Sequence, residues 1–179
     1  MLKILFFLFL AAVVTRADVV ADKFALSVTS AAVAGNFVDF TMKIVNQSAG
    51  PVKIDISGDV AVVTAAAKGM PLAMPATTCR QGIYKPQFVV VVSEGKLIFL
   101  PSKSSRVFAP KTLAPGESTE VTSRIGIDPT ALLKAAELSS SDIFANLVFQ
   151  GDTSLQHSAP SPTYKISKAA DDKLVLTPE

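Results

Sequence analysis

The chain of 179 residues contains one cysteine, one histidine and no tryptophan, and each shortage removes a class of chemistry. With Cys79 alone, no disulfide can close within the chain, so stability has to come from buried apolar side chains. The absence of tryptophan, together with the lone cysteine, excludes a core built on a Cys, Trp, Cys arrangement. One imidazole cannot supply the two histidines of a blue-copper centre. A dyad of Cys79 and His157 lacks a third group to orient the base, and "LQHSAPSP" around His157 reads as an exposed loop. No G-x-S-x-G elbow, phosphate-cradling glycine loop or nucleotide fingerprint is present. These absences predict a protein that is not an enzyme and that carries no cofactor and no metal.

The first residues are different in kind from the rest. Lys3, the apolar run "ILFFLFLAAVV" over residues 4–14, and the small residues Thr15 and Ala17 have the layout of a cleaved secretory signal over 1–17, with a single domain over 18–179. The run is short of the roughly 20 residues that span a bilayer. The expectation is therefore export to the periplasm or beyond, with no membrane insertion after cleavage. Lys3 and Arg16 leave with the leader, so 15 basic residues face 15 acidic ones in the remainder. A chain without a basic excess offers no footprint for nucleic acid.

Alternation with a period of two runs through that remainder and predicts strands with one buried face. In "NFVDFTMKIVN", Val38, Phe40, Met42 and Ile44 point one way and Asp39, Thr41 and Lys43 the other. "FALSVTS" precedes it as a first strand, and "VKIDIS" follows after "NQSAGP", a turn that predicts an antiparallel pair between the two segments. "FVVVVSEGKLIFL" predicts a hairpin turning at Ser93, Glu94 and Gly95. Both faces of its first strand are apolar, so Phe88 to Val92 is either central and covered twice or open to a partner. "SRVFAP" and "STEVTSRIGID" bracket the Pro-Gly turn "LAPGES", "DIFANLVFQ" turns Ile143, Ala145, Leu147 and Phe149 inward, and "TYKISK" and "KLVL" close the chain. One helix is predicted, with Asp128 as cap, Pro129 in the first position and Leu132, Leu133 and Ala136 on one side, crossing between sheets.

The predicted fold class is all-β, an antiparallel sandwich with one short connecting helix. The stretches "FTMKIVNQSAGPVKIDIS" and "TLAPGESTEVTSRI" resemble the strands and turns of immunoglobulin-like domains of exported bacterial accessory and adhesion proteins. That resemblance implies a module that works by binding another protein.

Several residues are candidates for that contact. Phe88, Val90 and Val92 offer a strand that a partner could extend if it lies at a sheet edge, and Met70, Leu72 and Met74 could form a sticky loop. Residues 65–82, stiffened by proline, could instead be presented to a protease as an inhibitor loop. Met70, Met74 and Cys79 together would suit a copper or thiol protein. Cys79 alone reads as a buried small apolar residue or, if exposed, as a disulfide to a second chain. Asp39 and Asp55 are expected on the polar faces of adjacent strands, and Asp171 and Asp172 as a solvated pair. "NQS" makes Asn46 a glycosylation acceptor in a eukaryotic secretory pathway.

Overall fold

The computed structural model describes residues 19–20, 23–56, 61–65, 80–92, 109–138, 140–152 and 154–179. In chain order the elements are β1 (Val19–Val20), β2 (Phe24–Ala34), β3 (Phe37–Asn46), β4 (Val52–Asp55), β5 (Ala61–Ala65), β6 (Tyr84–Val92), β7 (Pro110–Leu113) and β8 (Ser118–Ile125). After them come α1 (Pro129–Glu137), β9 (Ser141–Gln150), β10 (Leu155–Ser158), β11 (Tyr164–Lys168) and β12 (Leu174–Pro178). They build two sheets. One is three-stranded and antiparallel, in the order β2, β3, β8; the other is nine-stranded and follows β1, β10, β9, β6, β4, β7, with β5 beside β6 and the β11–β12 hairpin beside β9.

Most of the expected inward residues are buried, but Phe149 is only partly so, and at the end of β4 Asp55 is buried while Ile56 is exposed. Val38, Phe40, Met42 and Ile44 of β3 face Phe88 and Val90 of β6 and Ile143, Ala145 and Leu147 of β9, all of them fully enclosed. Phe40 meets Phe88 at 5.7 Å between ring centres, and Tyr84 is held between Phe24 and Phe149 at 4.7 Å from each. Offset and edge-on ring pairs of this kind add to simple area burial. The helix forms where expected: Asp128 accepts from the Thr130 amide at 2.9 Å, Pro129 opens the first turn, and Leu132 and Ala136 are buried as expected, but Ala135 is buried in place of the expected Leu133, which is only partly covered. It links β8 in the small sheet to β9 in the large one.

Three expectations about pairing are corrected. The large sheet is mixed rather than antiparallel, since β1 runs parallel to β10, and β4 and β5 both run parallel to β6. β4 and β5 follow one another along the side of β6 opposite β9, and residues 66–83 supply the long connection that parallel strands need. Second, the segments around "NQSAGP" are not a hairpin. β3 pairs with β2 and β8, whereas β4 pairs with β6 and β7, so the turn carries the chain from one sheet to the other. The same is true of "LAPGES", which links β7 to β8 across the sheets. Third, the described antiparallel partner of β6 is β9, along its full length. The expected strand "KLIFL", and all but the end of "SRVFAP", lie outside the described residues.

Asn46 explains why both turns arch rather than fold back. It is fully buried, and its Nδ2 donates to the carbonyls of Gly50 at 2.9 Å and Leu113 at 3.1 Å. Its Oδ1 accepts from the Ser48 amide at 2.9 Å and the Ser48 hydroxyl at 2.6 Å. Its backbone closes on the second turn, with the Gly116 amide donating to its carbonyl at 2.7 Å and its own amide donating to the Glu117 carbonyl at 3.0 Å. One residue thus clamps two arches side by side. Gly116, at φ 78°, supplies the left-handed residue that the second arch requires.

Candidate functional site

The contact strand expected at Phe88 to Val92 is not an edge. β6 is hydrogen-bonded to β9 on one side and to β4 and β5 on the other, and Phe88, Val89 and Val90 have no exposed surface. Of the two alternatives left open for this strand, the structure has the one in which it is central and covered twice. Phe88 and Val90 are core residues, and the Val92 backbone pairs with Ser141. Met70, Leu72, Met74 and Cys79, with most of the 65–82 loop, lie outside the described residues.

His157 corrects the loop expectation. It sits in β10, in register with Val148 of β9 and Val19 of β1, and is 9% exposed. On the same face of the sheet lie Asn146 of β9 and, directly across from it on β6, Gln87. The Gln87 amide, the Asn146 Oδ1 and the His157 Nδ1 are buried without a hydrogen-bond partner. Burial pushes the His157 imidazole below its usual range, so the ring stays neutral over more of the acid range. Alternation along β9 gives no warning of this, because "HSAPSP" carries two prolines and reads as loop.

That segment holds β9 in an unusual way. Ser158 Oγ accepts from the Leu147 amide at 2.9 Å, and Ser161 Oγ accepts from the Ala145 amide at 3.0 Å. Ser161 also donates its amide to the Ala145 carbonyl at 2.7 Å. Prolines 160 and 162 have no N–H to offer, so serine side chains complete a ladder that a regular strand would complete with its backbone.

Asp39 and Asp55 are on strands of different sheets rather than on adjacent strands, and Asp55 is buried rather than solvated. Asp39 is bound to Arg124 in a two-pronged ion pair, at 2.8 Å from Nε and 2.7 Å from Nη2, and the guanidinium lies 6.0 Å from the Phe37 ring centre. Asp171 and Asp172 are in the β11–β12 turn, paired with Lys173 and Lys168 respectively. Among the described residues, no three histidine, cysteine, aspartate or glutamate side chains gather as a metal site would require.

β8 is a regular strand of eight residues whose one described strand partner is β3; β5, β7 and β12 likewise have one described strand partner each. Its outer face carries Glu120, Thr122 and Arg124, registered opposite Lys43, Thr41 and Asp39. The Thr41 and Thr122 hydroxyls are 2.9 Å apart. The sequence held the signal, since "STEVTSRI" places unlike charges four residues apart on one face of a strand, but a single strand does not say which of its two edges is free. Comparison with known proteins gives no match: no family model, no curated protein and no solved structure is similar to this chain.

Proposed function

We propose that this protein is an exported, non-enzymatic module of the immunoglobulin-like sandwich kind, acting by contact with another protein in an accessory, adhesive or structural role. The secretory layout of residues 1–17 supports export to the periplasm or the exterior. The observation that carries the contact reading is the edge of β8. A strand paired on one side presents a row of backbone donors and acceptors on the other, and an incoming strand satisfies them. Natural edges are commonly blunted by proline or a bulge, and β8 has neither. The inhibitor and copper or thiol readings rest on residues 65–82, and no described feature favours them.

A photo-crosslinking residue placed at Thr122, with another at Val175 of β12 as an exposed control, tests this in the native compartment. Protein adducts concentrated at position 122 are the expected result. Adducts at 175 and none at 122 would contradict docking on β8.

A further inference from the structure

The unlike charges on β8 are arranged so that the strand complements itself. An antiparallel partner strand brought alongside with Thr122 at the centre places Glu120 opposite the partner's Arg124, and Arg124 opposite the partner's Glu120. Thr122 then meets its own counterpart, and on the inward face Val121 stands across from the partner's Ser123. Cross-strand neighbours at such positions are close enough for side chains to interact. The in-chain registers continue the pattern outward, because Lys43 flanks Glu120 and Asp39 flanks Arg124.

Each row across the join therefore alternates in sign: Lys43, Glu120, the partner's Arg124, the partner's Asp39. The central row is four threonines. Arg124 spends two N–H groups on Asp39 and keeps others for a second carboxylate. Glu120 makes no ion pair among the described residues, although it is exposed. The opposite edge of the same sheet is not built this way. β2 is broken by a register shift between Val28 and Ser30, and β12 runs close beside it. Irregularity of that kind turns an edge away from further pairing.

We propose that β8 pairs with β8 of a second copy of this chain about a two-fold axis at Thr122, joining two three-stranded sheets into one of six strands. This rests on reading β8 as the docking edge, and it names the first partner of that edge. A two-fold interface is self-complementary by construction, which is what the Glu120 and Arg124 spacing provides.

Sedimentation velocity of the purified protein across the micromolar range tests it, using two variants that keep their in-chain pairs with signs exchanged. In K43E/E120K a positive charge at position 120 faces the partner's Arg124, and in D39R/R124E a negative charge at position 124 faces the partner's Glu120. The wild-type protein should form a dimer. Each variant, folded by circular dichroism, should dimerise about tenfold more weakly or worse, since two contacts per dimer turn repulsive. An equimolar mixture of the two variants should restore a dimer holding one copy of each, because every charge then meets its opposite. A wild-type protein that stays monomeric, a variant that dimerises as well as wild type, or a mixture of folded variants that does not pair would each overturn the proposal. Adducts to a different protein at position 122, with a monomeric wild type, would remove the second copy and leave the docking edge standing.

Discussion

Asn46 and His157 are buried polar residues that the fold treats in opposite ways. Asn46 spends both Nδ2 protons on backbone carbonyls, of Gly50 and Leu113. Asn46→Ala leaves both carbonyls without that donor, at a cost of about 1–3 kcal/mol for each one that stays buried; urea unfolding of the variant should show it. The same geometry excludes a glycan at "NQS", because the nitrogen that would carry it has no free proton and no exposed surface. Endoglycosidase treatment of the folded protein should leave its mobility unchanged, even when it is made in a eukaryotic secretory pathway. His157 lacks a partner at Nδ1, and burial lowers its pKa in the fold. The unfolded chain therefore takes up the proton first, so stability is full above the unfolded value of about 6.5. It falls as the pH drops through that value and levels off below the depressed folded value. Denaturant midpoints measured from about pH 8 to pH 5 should decline for the wild type and decline less for His157→Gln.

At the level of elements, the pattern in the sequence located β2, β3, β8, β9 and α1, because each turns an apolar face to a single core, although β9 also buries Asn146 and Val148 on its other face. Val38, Phe40, Met42, Ile44, Ile143, Ala145 and Leu147 all lie where that pattern puts them. Pairing was not legible. Whether two segments joined by "NQSAGP" form a hairpin or arch between sheets depends on what Asn46 reaches, and one of its acceptors is 67 residues away. β6 gave the opposite difficulty. Apolar on both faces, it fits either a covered centre or a sticky edge, and only its neighbours decide. Phe88→Ala should accordingly cost stability, about 3–5 kcal/mol as for other core phenylalanines. A change in partner binding at unchanged stability would contradict its place in the core. The serine ladder beside β9 was invisible for a third reason: its prolines signal loop, yet its hydroxyls act as strand acceptors. Ser158→Ala and Ser161→Ala each strip a buried β9 amide of its acceptor, which should cost about 1–3 kcal/mol. Hydrogen exchange at Leu147 and Ala145 respectively should speed up.

Across the whole molecule, a large mixed sheet and a small antiparallel one share one core, and they differ in how their margins end. In the large sheet the central strands β6 and β9 are flanked on both sides, with β10 and β11 sharing the outer side of β9. In the small sheet β8 is regular, charged in a self-matching order and paired on one side among the described residues. Among the described strands, β6, flanked along both edges, therefore ranks as less accessible than β8, paired along one. Amide hydrogen exchange followed residue by residue, at a protein concentration low enough to keep the chain monomeric, measures that ranking directly. The expected result is slow exchange throughout β6 and, along β8, slow and fast amides in alternation, the fast ones slowing as the concentration is raised. Uniform protection of β8 in the dilute protein would mean that its outer edge is already covered, and would contradict the account.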